Sequence, residues 1–80
     1  MELQSSQQDG AQLVTVLAER IDSAVAIRFK DALRAAAEGG AGPVVLDLGQ
    51  VGFVDSSGLG AIVAVMKSLA PARRSAVRNK

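Results

Sequence analysis

The 80-residue chain contains no histidine and no cysteine. Without imidazole it cannot form Ser-His-Asp or Cys-His nucleophilic sites, and it lacks the commonest general base. The same two absences remove the usual zinc ligands and every disulfide. We therefore expect a protein that is not an enzyme and that holds no metal or other cofactor. A chain without disulfides also suits the cytoplasm.

Aromatic residues are scarce: the chain has only Phe29 and Phe53, although 49% of it is hydrophobic. Valine, leucine, isoleucine and alanine must therefore build the core of one small domain, which is all that this length allows. The longest strongly apolar run, Leu59 to Met66, is too short to cross a bilayer, and the polar start shows no signal-peptide pattern. We expect a soluble, cytoplasmic domain over residues 1–70 that has no membrane partner.

Acidic residues are missing from the end of the chain. All eight lie at or before Asp55 with four cations, whereas five cations and no acid follow. The net charge is therefore −4 through Asp55 and +5 beyond it. The basic end lacks interleaved aromatics and a recognition-helix pattern, which argues against direct binding of nucleic acid. Residues 71–80 are predicted to be a basic, flexible tail.

The hydrophobic pattern predicts an α/β fold with the order β-β-α-β-α. Asp9-Gly10 is a tight-turn pair that would join a weak strand within residues 1–8 to a second strand over residues 13–17. Residues 44–48 are almost continuously apolar, which predicts a strand covered on both faces.

Two helices are predicted from apolar residues at helical spacing. The first would be capped by Asp22 or Ser23, and the second would begin near Ser57. The expected core positions are Val25, Phe29, Leu33 and Ala36 in the first helix, and Leu59, Ile62, Val63, Met66 and Leu69 in the second.

The strands before and after the first helix are most simply parallel, because a single helix crosses between them. Their carboxyl ends and both helix N-termini then share one edge of the sheet, where ligands and partners of such folds bind. Asp22 is therefore predicted to lie near Ser56 and Ser57. The alternative, that these residues only cap separate helices, is compatible with this placement.

Asp55-Ser56-Ser57-Gly58 stands where the strand pattern changes to a helix pattern. Unpaired N–H groups and the positive dipole end of a helix favour oxygen ligands and phosphate there. The simplest interpretation is an N-cap, with Gly58 allowing a tight turn. A phosphate cradle in a nucleotide-binding protein or an enzyme is disfavoured, because no P-loop lysine follows the glycine.

Three segments, taken in order, carry a family pattern. Val16-Leu-Ala-Glu-Arg-Ile-Asp22 is similar to a strand that ends in a hydrophobic-Asp pair, and Val44-Val-Leu-Asp-Leu48 to a buried strand. Phe53-Val-Asp-Ser-Ser-Gly-Leu-Gly60 is similar to the family's most specific signature. Over roughly residues 12–70 the chain thus resembles the STAS domain (sulfate transporter and anti-sigma factor antagonist), and within that family the bacterial anti-sigma factor antagonists. The resemblance implies a STAS-like mixed β-sheet with helices.

The resemblance also implies a function. In such antagonists the unmodified protein binds an anti-sigma factor that is itself a serine kinase, and this frees the sigma factor. Phosphorylation by that kinase abolishes binding, and a phosphatase restores it. By position the phosphorylated residue matches Ser56. The implied partner-binding residues are Asp22, Asp55, Ser56, Ser57 and Gly58. Asp47 is a weaker candidate, because a carboxylate at a strand end has a simple structural explanation.

The family continues past the second helix with a further strand and helices, which residues 70–80 do not predict. The expected fold therefore lacks these final elements, and its uncovered sheet edge would favour self-association. An alternative function is a STAS adaptor subunit of a transport or signalling assembly that binds through the same edge without being phosphorylated.

Overall fold

The computed structural model describes residues 2–69 and the backbone of residues 77–78. The helices are α1 (Ala26–Glu38) and α2 (Ser56–Ser68). The strands are β1 (Leu3–Gln8), β2 (Ala11–Val16), β3 (Arg20–Ile21), β4 (Val44–Asp47), β5 (Phe53–Val54) and β6 (Val77–Arg78). The predicted mixed β-sheet with two helices is confirmed. β3 and β5 are each only two residues long and lie where the sequence indicates a strand end, before Asp22 and before Asp55. β6, also two residues long, is an addition that the sequence pattern did not predict.

The main sheet has the strand order β1-β2-β4-β6. β1 and β2 form the predicted antiparallel hairpin, and its turn residues Asp9 and Gly10 have φ of 52° and 81°. Positive φ at both positions is typical of the type I′ turn, which matches the twist of the strands it joins. β2 and β4 are parallel, as predicted, and β6 extends the sheet parallel to β4. The other residues of the predicted tail lie outside those that the structure describes.

The core lies on one face of this sheet. In β2 every second residue is buried, namely Gln12, Val14 and Val16. Phe29 and Leu33 of α1 belong to the same buried cluster as Val14 and Val16, together with residues of β4 and α2. Aliphatic side chains therefore build the core, as the scarcity of aromatics requires. Within the described residues, neither helix has the length and hydrophobicity of a membrane span.

Gln12 is the one polar residue buried among the described side chains. Its Nε2 donates hydrogen bonds to Ser5 Oγ at 2.9 Å and to the Ala36 carbonyl oxygen at 2.6 Å. These bonds compensate for removing the amide from water. Gln12 thereby joins the hairpin to the last turns of α1.

The start of α1 differs from the prediction. Its N-cap position is Val25, which makes no side-chain cap hydrogen bond. Asp22 lies upstream, where Oδ1 accepts a hydrogen bond from the Ala24 N–H at 3.1 Å and the carbonyl oxygen accepts one from the Val25 N–H at 3.1 Å. The prediction that Asp22 or Ser23 caps the helix was therefore wrong, because the Asp22 carboxylate stabilises a separate turn before the helix.

The buried face of α2 also differs from the prediction. Ile62 is buried as expected, and Met66 and Leu69 pack against the core. Leu59 and Val63, however, are 57% and 44% exposed. The buried positions are Gly58, Ala61, Ile62 and Val65. Because α2 is apolar almost all round, the sequence pattern does not distinguish the face that packs inward from the face that remains outside.

Candidate functional site

The candidate site lies where β3 and β5 end. These strands pair in parallel, with Arg20 opposite Phe53 and Ile21 opposite Val54. Each strand is followed directly by an aspartate, Asp22 or Asp55. Parallel pairing places both carboxyl ends at the same edge. The proximity predicted for the Asp22 segment and the start of α2 is therefore present.

Asp55 joins the two segments and is the N-cap of α2. Its Oδ1 accepts a hydrogen bond from the Gly58 N–H at 2.9 Å, and its Oδ2 accepts one from the Ser23 N–H at 3.1 Å. The Asp55 N–H donates to the Ile21 carbonyl oxygen at 3.1 Å. The capping interpretation is thus confirmed for Asp55, and the same carboxylate fixes the turn before α1 against the start of α2.

Ser56 and Ser57 are the first two residues of α2, and both are exposed. Among the described residues, no side-chain hydrogen bond engages either hydroxyl. Their backbone N–H groups belong to the first helical turn, whose donors have no partner inside the helix. The structure therefore presents two free hydroxyls on a backbone that Asp55 holds in place.

Gly58 is buried because the start of α2 lies very close to β3. A Cβ atom there would lie 2.5 Å from the Ile21 carbonyl oxygen and 2.8 Å from Ile21 Cγ2. Only glycine allows so close an approach without displacement of the backbone. Gly58 thus sets how closely the start of α2, with Ser56 and Ser57, packs against the end of β3.

Arg20 and Phe53 also belong to this site, although no sequence pattern predicts them. The Arg20 guanidinium carbon lies 4.5 Å from the centroid of the Phe53 ring, and Nε lies 3.6 Å from Asp22 Oδ2. The contact depends on the pairing of β3 with β5, so no local sequence signal reports it. Arg20 thereby places one positive charge beside the Asp22 and Asp55 segments.

Asp47, the weaker candidate, ends β4 in the main sheet. Its Oδ1 accepts a hydrogen bond from the Gly49 N–H at 2.8 Å, which stabilises the turn after the strand. This agrees with the structural explanation of Asp47. Within the described residues, no group of three or more possible ligand side chains is arranged to hold a metal ion.

Solved structures with this fold include anti-sigma factor antagonists. The chain is 25% identical to an anti-sigma factor antagonist from Mycobacterium paratuberculosis, with a TM-score of 0.82 over 99% of this chain and 67% of that one. It is also 25% identical to a candidate anti-sigma factor antagonist from Thermotoga maritima, with a TM-score of 0.62 over 82% of this chain and 56% of that one.

A third structure shows similarity of fold alone. It is the Bacillus cell fate determinant SpoIIAA in its phosphorylated form, which is 16% identical, with a TM-score of 0.54 over 82% of this chain and 60% of that one. The chain thus spans between 56% and 67% of the lengths of these three proteins.

Among proteins of curated function, none has a significantly similar sequence. Residues 5–78 match the family described as "Mlab, STAS domain". This match includes both paired strand ends, Asp55 and the two serines at the start of α2. The chain therefore belongs to the STAS domain family.

Proposed function

We propose that this protein is an anti-sigma factor antagonist controlled by phosphorylation of Ser56. The unmodified protein binds an anti-sigma factor with serine kinase activity, and this binding releases the sigma factor. The observation that carries the proposal is the presentation of the Ser56 hydroxyl, which is exposed at the start of α2 directly after the Asp55 cap. Similarity to two antagonist structures at 25% identity supports the same function.

The proposed modification is a phosphoryl transfer from ATP to Ser56. A bond forms between Ser56 Oγ and the γ-phosphorus, the bond from that phosphorus to the bridging oxygen breaks, and ADP leaves. The kinase takes up the hydroxyl proton. A phosphatase reverses the change by hydrolysis, which yields inorganic phosphate and the free serine. In both steps this chain is the substrate and supplies no catalytic group.

The charge of the phosphate explains why the partner would leave. A phosphoserine adds about −1.5 to −2 charges at neutral pH. The Asp55 carboxylate precedes it directly, and Asp22 lies in the adjoining turn. Pressed against a partner, this group of negative charges suffers repulsion and a large desolvation cost. Free in solvent at a helix N-terminus, the same phosphate is tolerated or favoured.

This function implies a cellular location and a small set of binding partners. A sigma factor and an ATP-dependent kinase act in the bacterial cytoplasm, so we place the protein there. Its partners are the kinase and the phosphatase, without direct contact to nucleic acid or membrane. Contact with the kinase involves Asp22, Ser56 and Ser57, while Asp55 and Gly58 hold these residues in position.

A pull-down from the source lysate tests the proposal. The baits are the wild-type chain, Ser56→Ala, Ser56→Asp and the control Ser6→Asp, which adds the same charge at an exposed residue of β1. Wild type, Ser56→Ala and Ser6→Asp should recover a kinase-like ATPase, and Ser56→Asp should not. Recovery of one partner by all four baits would favour the unphosphorylated adaptor instead. If no bait recovers a kinase, the proposed function is wrong.

A further inference from the structure

A small groove lies between α1 and α2. Its volume is about 210 Å³, and four of its lining residues are small: Ala26, Gly60, Ala61 and Ala64. Larger side chains at these positions would close the gap between the helices. The volume is below the roughly 300–1,000 Å³ of small-molecule pockets, so the groove suits a single large side chain better than a cofactor.

One large apolar residue of the groove lining is exposed: Ile27, which is 73% exposed. Leu59 and Val63 are also exposed, on another face of α2 that does not line the groove. A helix that is hydrophobic all round is normally covered on all sides. The core covers only one face of α2, so its outer face has the character of a protein-contact surface.

The charge in the groove indicates the chemistry of the occupant. Of the described residues that line it, Lys30 alone is ionisable. An ammonium group beside an apolar hollow favours a partner that combines a large apolar side chain with a nearby carboxylate. The groove also adjoins the proposed phosphorylation site, because Ser57 lines it and Ser56 precedes Ser57. This position assigns the occupant to the protein that contacts Ser56.

We propose that the groove receives one large apolar side chain of the anti-sigma factor, and that a carboxylate beside that side chain contacts Lys30. This inference rests on the proposed function and identifies the anchor of the same interface. Ser57 lines the groove, and Ser56 precedes it in the chain. The anchor and the phosphorylated hydroxyl thus belong to one contact. A side chain buried in a central pocket is typical of interface hot spots.

A small probe tests the groove without the kinase. N-acetylleucine combines a leucine side chain with a carboxylate, and its binding to the ¹⁵N-labelled chain is followed by NMR. Saturable shifts are expected at the amides of Ile27, Lys30, Gly60 and Ala64, with a dissociation constant of about 1 mM or weaker. N-acetylleucinamide, which lacks the carboxylate, should bind several-fold more weakly.

The variant Ala64→Leu fills the groove and should abolish these shifts. Ala64 is exposed and leucine is a good helix former, so the fold should be retained. The matched control, Ala35→Leu, makes the same change at an exposed position of α1 outside the groove. Absence of saturable shifts, or shifts that persist in Ala64→Leu, would overturn the proposal.

The second measurement uses the purified kinase that the wild-type chain recovers. Ala64→Leu and Lys30→Glu should each weaken its binding about tenfold or more, whereas Ala35→Leu and Arg28→Glu should not. A kinase that responds to Ser56→Asp but binds Ala64→Leu at full affinity would refute the groove anchor and leave the proposed function standing. If N-acetylleucine binds in the groove but no kinase is recovered, the proposed function and the assigned occupant are wrong together.

Discussion

At Gly58 the distance between α2 and β3 depends on the absence of a side chain. A Cβ atom would contact the Ile21 carbonyl oxygen, and a backbone atom cannot rotate away as a flexible side chain can. Gly60, two residues later, has open space around the corresponding position. A side chain is therefore excluded at Gly58 but has room at Gly60, in the same helix.

Gly58→Ala should destabilise the protein by about 1–3 kcal/mol, because α2 must move away from β3 to accommodate the methyl group. Gly60→Ala should stabilise it by about 0.5–1 kcal/mol, since alanine loses less entropy in a helix. Urea unfolding of both variants measures the difference. Equal effects of the two substitutions would contradict the close packing of α2 on β3.

Asp55→Ala should cost about 1–2 kcal/mol, because it removes the N-cap of α2 and the acceptor for the Ser23 N–H. Asp31→Ala is the control, since it removes the same charge from an exposed position of α1 and should change stability by less than about 0.5 kcal/mol. The free energies of unfolding of both variants decide the matter. If Asp55→Ala were as stable as Asp31→Ala, Asp55 would not join the two segments as described.

Individual residues could be predicted where their chemistry is local. Asp55 was correctly assigned to a cap from its place before an apolar helix. The tight turn predicted at Gly58 was wrong, because Gly58 lies within α2 and its glycine is required by the close approach to β3. Arg20, Phe53 and Gln12 were missed, because their partners are distant in sequence and come together only when β3 pairs with β5 or when α1 packs on β2. Their roles are consequences of the fold rather than of a motif.

Among the elements, α2 shows that hydrophobic periodicity can predict a helix without predicting which of its faces is buried. Apolar residues at helical spacing correctly predict the helix, but two of its faces carry them. Burial of Gly58 turns the helix so that Ile62 and Val65 face the core and Leu59 faces outward. The start of α1 was likewise not predictable from the sequence. Asp22 resembles a helix cap there, but in the structure its carboxylate accepts a hydrogen bond within the turn before the helix.

Ile62→Ala should cost about 2–5 kcal/mol, whereas Leu59→Ala should change stability by less than about 0.5 kcal/mol. The two substitutions remove the same number of carbon atoms from neighbouring turns, so they compare burial directly. Ile62 is 4% exposed and Leu59 57%. Thermal or urea unfolding gives both values, and a larger loss for Leu59→Ala would reverse the assignment of the buried face.

At the scale of the whole molecule, the predicted order β-β-α-β-α holds for the elements of four or more residues. The signals differ between elements: β1 was predicted from the Asp9-Gly10 turn, β4 from a continuous apolar run, and the helices from apolar residues at helical spacing. The parallel pairing of β2 and β4 also follows, since one helix connects them. The addition of β6 beside β4 could not be predicted from two residues in a polar, basic segment. The chain spans at most 67% of the length of each of the three similar structures.

The proposed switch requires that phosphorylation change the surface and leave the core intact. Ser56 is exposed, and the hydrogen bonds of Asp55 that hold α2 in place do not use its hydroxyl. A phosphate on Ser56 can therefore extend into solvent without breaking either bond. The electrostatic penalty arises only when a partner covers the site.

The most direct test is the affinity of the purified kinase for the chain carrying phosphoserine at position 56, compared with the unmodified chain, by isothermal titration calorimetry. The account predicts binding about 100-fold weaker or more, which corresponds to about 3 kcal/mol, with an unchanged melting temperature. Equal affinity of the two forms would contradict it. So would a loss of affinity accompanied by unfolding, because the switch would then lie in the core rather than at the contact surface.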